Sequence, residues 1–420
     1  MQLELRVIRV RHVQFGPQTA VTDGVLSVNR EELRRLLLED PRLRQIDIDV
    51  ANPGDRCRIA RVADVVEPRA RVSGQDFPGA LGAHDSAGSG ATIVLRGAAV
   101  AVSEFWSSPG NRDPVGEFID TWGPGAEGGP YGKLSNVAIL PYPAQNTTAS
   151  EYRVAMKIAG LKTAAYLARA GVSLRPDTIE IHELSSRTGV LGLPRVAYIF
   201  QVLTNQFEPL PGDPVLYGDN IERIVPTIIH PNEIFDGALV APADSRFMET
   251  YTIQNHPMIE ELYCHHGESL SFAGVIITNA PNNVAEYERA ATIAANLAKW
   301  TLGADAAVLT KIGGGAPELT MARTAQRCEE LGVRTVLAFL HMGIDATDTS
   351  PKPATIFNAP EIDAMVSMGA PVGNINVPAP DRVVGVPDGL KTEIASDKAL
   401  RQVKGALSQL GNSRLVAVRY

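Results

Sequence analysis

FAGVIITNAPNNVAEYERAATIAANLAKWTLGADAAVLTKIGGGAPELTMARTAQRCEELGVRTVLAFL, residues 272–340, decides the fold. FAGVIITN is an apolar run of strand length. NVAEYERAATIAANLAKWTLG carries apolar residues at helical spacing, and Asn283 with Glu286 makes a capping-box pattern at its start. AAVLTK reads as a second strand, PELTMARTAQRCEELG as a helix opened by Pro317, and RTVLAFL as a third strand. PEIDAMVSMG, further on, reads as a short helix, again opened by a proline. Strands alternating with helices imply a parallel sheet with right-handed crossovers.

Toward the N-terminus the pattern changes. LELRVIRVRHVQF, residues 3–15, alternates like a strand, and a turn at Thr22-Asp23-Gly24 leads to another. NREELRRLLLED reads as a helix with Asn29 as N-cap and Glu32 three residues on. Residues 46–72 supply further strands around Pro53-Gly54, and GATIVLRGAAVAVSEF, residues 90–105, continues them. Gly, Pro and polar residues dominate 106–150, which reads as loop. SEYRVAMKIAGLKTAAYLARAG, residues 150–171, is a helix ending at glycine; TIEIHEL and RVAYIFQVL are strands, the latter apolar enough to be buried. The expected class is therefore α/β, with a β-rich N-terminal region that includes helices, then a C-terminal wound α/β domain with a largely parallel sheet. The expected divisions are 1–110 (β-rich), 111–235 (mixed, with the Gly/Pro-rich loop), 236–257 (linker) and 258–420 (wound α/β).

A chain of 420 residues exceeds one typical core. Its net charge of -8 argues against a nucleic-acid partner. No run of about 18 apolar residues spans a membrane, and the alternating N-terminus is not a signal peptide. Cys57, Cys264 and Cys328 lie far apart and form no CxxC pair, which fits a reduced, cytoplasmic protein.

Chemistry could sit at several places. Lys311 and Gly313, Gly314 and Gly315 leave the carboxyl end of a strand and enter a helix, where open α/β sheets gather ligands. The glycines let backbone N–H groups approach, and Lys311 could hold a carboxylate or phosphate of a small-molecule substrate. A tight turn with a solvated lysine is the structural alternative. His341, after RTVLAFL, stands at the same sheet edge as an acid or base, or as a hydrogen-bonded loop histidine. Cys264-His265-His266 offers zinc-type ligands without a second cluster nearby, so no metal is expected. IDTWGPGAEGGPYGK, residues 119–133, flanks Trp122, Glu127 and Tyr131 with glycines like a binding loop, with Glu127 as a substrate contact. No GxSxG or HExxH motif occurs.

GDRCRIARVADVVEPRARV, GATIVLRGAAVAV, IDTWGPGAE, KIAGLKTAAYLARAGV, RIVPTIIHPNEIFDGALV and TYTIQNHPMIEELYCHHG, in this order, resemble the component B proprotein of glycine, sarcosine and betaine reductases. The related D-proline reductase proprotein is similar. The resemblance covers roughly residues 1–375. It implies an oxidoreductase subunit acting on a small amine or amino-acid-type compound. Such a proprotein is cut between the DGA and TY-x-x-QN-x-P stretches, where a cysteine becomes a pyruvoyl group that binds the substrate amine. A partner subunit with a reactive cysteine or selenocysteine completes the reduction. A homo-oligomer is also expected.

DGALVAPADSRFMETYTIQNHP, residues 236–257, contains no cysteine, and Cys264 lies beyond it. The cysteine-derived pyruvoyl group is therefore missing. Either Ser245 replaces the cysteine, with the cut at Asp244–Ser245, or the chain stays whole and carries no such cofactor. The intact chain is the favoured expectation. His256 then becomes a candidate active-site residue, with a plain helix flank as its alternative. A non-catalytic substrate-binding or scaffold subunit, or a lyase or hydrolase of an amine-bearing metabolite, are the competing functions.

Overall fold

A computed structural model describes residues 1–105, 116–184, 190, 192–202, 215–221, 224–242, 248–281, 283–311, 316–339, 362–367, 373–386, 396–408 and 410. The first part runs β1 (Gln2–Arg9), β2 (His12–Phe15), β3 (Ala20–Thr22), β4 (Val25–Val28), α1 (Arg30–Leu37), β5 (Leu43–Ala51), β6 (Cys57–Ile59), β7 (Val62–Val66), β8 (Arg69–Arg71), β9 (Gly90–Arg96), β10 (Ala98–Ser103), β11 (Ile119–Asp120), α2 (Gly123–Glu127) and β12 (Ser135–Pro143). The second part runs α3 (Ala149–Arg169), β13 (Thr178–Glu183), β14 (Arg195–Gln201), β15 (Thr227–Ile229), α4 (Pro231–Phe235), α5 (Thr250–Gln254), α6 (Pro257–His265), β16 (Ser271–Thr278), α7 (Val284–Asn296), β17 (Ala306–Thr310), α8 (Ala316–Glu330), β18 (Arg334–Phe339), β19 (Ala364–Ser367), β20 (Asn374–Val377), β21 (Arg382–Val384) and β22 (Ser396–Ala399). The molecule is mixed α/β, strand-rich at the N-terminal side, as the sequence pattern implies.

Two four-stranded sheets, ordered β13-β1-β9-β8 and β5-β12-β10-β7, carry the N-terminal part. α3 packs on them, opened by a capping box in which Thr148 and Glu151 satisfy each other's backbone N–H groups. β12 corrects the reading of 106–150 as loop. It is a fully buried strand, parallel to β10 and antiparallel to β5. Its Pro141 and Pro143 hid it. Both fall past Ile139, the last residue paired with β10, so the missing proline N–H groups break no ladder on that side.

The wound sheet is ordered β15-β16-β14-β17-β18-β19, with only the edge pair β15–β16 antiparallel. By chain order its parallel strands stand second, first, third, fourth, fifth. The connection direction therefore reverses between β14 and β17, the switch point of a doubly wound sheet. Ile253, Ile259 and Leu262 of α5 and α6 pack on one face. Ala294 of α7 and Met321, Ala325 and Cys328 of α8 pack on the other. Two features differ from the sequence reading. The central strand β14 comes from before the 236–257 segment. And AMVS within PEIDAMVSMG is a strand, β19, parallel to β18. So short a run carries too few residues for helical periodicity, and the open edge of β18 claims it. Beyond that segment the chain also returns to the N-terminal part, where β21 pairs parallel with β6.

Candidate functional site

The 236–257 segment is held from both sides by buried charge. Residues 243–247, including Ser245, lie outside the described residues. Upstream, α4 starts at Pro231 with His230 and Glu233 as a reciprocal cap. It delivers Asp236, which is buried, accepts from the Gly88 N–H at 2.7 Å and pairs with Arg71 at 3.2 Å.

Downstream, Thr250 opens α5 and donates its N–H to Asp64 Oδ1 at 2.9 Å and its hydroxyl to Oδ2 at 2.7 Å. Lys157 Nζ lies 2.8 Å from the same Oδ2 and also donates to the Ala241 carbonyl. The Ala241 N–H donates to Thr250 Oγ1 at 3.1 Å. Asp64 and Lys157 thus tie Ala241 to Thr250. Their side chains keep only 5% and 1% of their surface exposed, so each charge depends on the other. Arg69 and Arg96 grip Glu67 at 2.6 and 2.8 Å, and Asn255 donates to Glu67 at 3.2 Å, which fixes the end of α5.

Glu249 is shifted strongly by its surroundings. It is fully buried; Tyr131 donates to its Oε2 at 2.8 Å, and Lys404 Nζ sits 3.5 Å from its Oε1. Lys404 stands closer to Glu117, at 2.6 Å. Burial pushes the Glu249 carboxyl up to about 7, against the pull of Lys404 and Tyr131. Burial opposes the Lys404 charge, but Glu117 and Glu249 outweigh it and hold that group above its ordinary value. Glu249 can therefore carry or release a proton near neutral pH.

The glycine-flanked loop reaches this site through Tyr131, whose turn needs Gly132: a Cβ there would lie 2.2 Å from the Asp120 carbonyl oxygen. Glu127 is exposed at the end of α2.

The second polar region is the carboxyl edge of the wound sheet. Lys311 follows β17 and is buried, with its Nζ 2.8 Å from Glu318 Oε1 on the first turn of α8. Burial lowers its pKa, and Glu318 partly restores it. It is thus already ion-paired, not the solvated lysine of a simple turn. Gly313, Gly314, Gly315 and His341 lie outside the described residues.

His256 caps α6 and faces the opposite side of the same sheet. Its ring stands edge-on to Tyr198 and Phe200, with centroids 5.2 and 4.8 Å away. Its Nε2 lies 3.2 Å from the Tyr198 hydroxyl, which also bonds Thr310. Burial lowers its pKa to about 3, so the ring is neutral at physiological pH. Among the described residues its Nδ1 has no partner.

His265 bonds Glu261 and Ser269, and His266 accepts from the Phe272 N–H, so these neighbours of Cys264 are engaged locally. Cys57 and Cys328 are buried, and burial raises their thiols to about 11 and about 12. Cys264 is exposed.

Sequence reasoning missed Asp64, Lys157, Glu249 and Gln201. Three of these interrupt apolar runs, as in VADVV, VAMKIAG and YIFQVL, and that interruption was the available signal.

The family model of glycine/sarcosine/betaine reductase component B subunits matches residues 1–406. The glycine reductase complex component B subunits alpha and beta of Acetoanaerobium sticklandii are 32% identical over the whole of both chains. The sarcosine reductase complex component B subunit alpha of Peptoclostridium acidaminophilum is 35% identical, covering 95% of this chain and 92% of that one. The betaine reductase complex component B subunit alpha of the same organism is 32% identical over 80% of this chain and 77% of its own. No solved structure matches. The chain belongs to the family of glycine/sarcosine/betaine reductase component B subunits.

Proposed function

We propose that this protein is a cytoplasmic component-B-type reductase subunit that works as an intact chain. It binds a small amine or amino-acid-type compound and passes it to a partner protein with a reactive cysteine or selenocysteine. The observation that carries this reading is a match along residues 1–406 in a chain with no cysteine between 236 and 257. The paired Asp64, Lys157 and Thr250 support it, because they tie the two sides of that segment together. In this reading Lys311 and the Gly313–Gly315 loop hold the substrate, His256 or His341 handles protons, Glu127 lies at the approach, and the protein forms a homo-oligomer.

The second reading is a serine-derived pyruvoyl group formed by a cut at Asp244–Ser245. It is favoured by the presence of Ser245 inside the segment. Intact mass spectrometry with and without a carbonyl-reactive hydrazine separates the two. The first expects one mass near 45.0 kDa and no adduct. Two fragments dividing at Ser245, the C-terminal one labelled, would replace it with the second.

A further inference from the structure

Register defines a polar row at the switch point. Ile276, Ile199, Leu309 and Leu337 stand side by side on β16, β14, β17 and β18, all in the core beneath α7 and α8. Side chains two residues on share that face. They are Thr278, paired with Gln201, and Lys311, one step past the Phe200–Thr310 pair. The apolar layer is thus topped by three buried polar side chains, with Glu318 beside them on α8.

Gln201 is fully buried. Its Nε2 donates to the Pro317 carbonyl at 3.0 Å. A carbonyl only accepts, so this bond fixes which end of the amide is which. The other end, Oε1, has no partner among the described residues. An orphaned buried acceptor is costly, and a ligand that brings a donor to it recovers that cost. Lys311 does not make the site an anion trap, because Glu318 already meets its charge. Glu318 is also the outer member of the pair, with 12% of its side chain exposed against 1% for Lys311. Glu318, next to the Pro317 that Gln201 meets, is thus the acceptor nearer the surface.

We infer that Gln201 and Glu318, at this switch point, bind the N–H-bearing head of a small ligand, and that Gln201 Oε1 sets a preference for primary or secondary amines over fully methylated ones. The inference rests on the reading that the chain binds a small amine-bearing compound, and it places that compound apart from the 236–257 segment.

Calorimetric titration of the full chain with glycine, N-methylglycine and N,N,N-trimethylglycine tests it. The first two should bind roughly tenfold more tightly than the third, since one recovered buried acceptor is of that size. Gln201→Leu and the near-isosteric Gln201→Met should erase the preference by weakening only the first two. Both should melt no lower than the wild type without ligand. Binding of all three with a ratio that neither substitution changes overturns the site and leaves the amine-binding role standing. No binding of any of the three by the wild-type chain overturns both.

Discussion

The cluster of Asp64, Lys157 and Thr250 and the edge of the wound sheet are both buried and polar, yet they are built differently. Around Asp64 each strong group meets another: Lys157, both donors of Thr250 and the Ala241 carbonyl are accounted for. At the wound sheet, Gln201 on one face and His256 on the other each keep one buried atom without a partner among the described residues. Saturated charge holds a backbone in place. Unsaturated polar atoms are a standing cost that a ligand can relieve. The difference separates a cluster whose charged groups are paired from a sheet that keeps unmet polar atoms among the described residues.

The sharpest way to break this contrast is Asp64→Ala. It leaves Lys157 buried without its carboxylate and should cost about 3–5 kcal/mol in guanidinium unfolding. Replacing both members with apolar residues, Asp64→Leu with Lys157→Met, should recover part of that loss but not all of it, because the Thr250 donors and the Ala241 carbonyl lose their partners. A single-site loss below about 1 kcal/mol would mean that Asp64 fastens nothing.

pH comes next and acts on the two regions in opposite directions. His256 falls from 6.5 to about 3 on folding, so the unfolded chain binds the extra proton and stability drops as pH falls below 6.5. Glu249 rises from 4.5 to about 7, so the folded chain holds the extra proton and stability drops as pH rises from 4.5 through 7. Each slope approaches roughly 1.4 kcal/mol per pH unit, and between these limits the two oppose each other. Thermal melts of His256→Gln should therefore reveal a loss toward neutral pH, relative to wild type, and those of Glu249→Gln a loss toward acid. Difference curves of the same sign would sink the assignment.

Smallest is Glu127→Ala. Exposed at the end of α2, it should change stability by no more than about 0.5 kcal/mol. A larger loss in the same unfolding assay would give α2 a structural part in the site.

The wound sheet was legible because β16, α7, β17, α8 and β18 follow one another with clean periods and caps. β12 was not, since two prolines and nearby glycines mimic loop, while the strand tolerates them past its pairing with β10, where β5 alone flanks it. The fastening around Asp64 was beyond a linear reading for another reason. Asp64, Lys157 and Thr250 stand on β7, α3 and α5, and only tertiary packing brings them within 3 Å. The switch point needed strand order, which the pattern of elements alone does not state. The cysteine-free segment was legible, because that is a property of composition within a known stretch.

The placing of β14 between β16 and β17 has a consequence for how this protein is made. During synthesis β14 leaves the ribosome well before either neighbour exists, and it must wait, apolar on both faces, until both have been translated. The same dependence governs fragments. A gene split in the 236–257 segment would yield an N-terminal product holding a strand without its sheet and a C-terminal product holding a sheet with a gap at its centre. Neither is a self-sufficient folding unit. The two products should complement each other when co-expressed and fail when refolded apart.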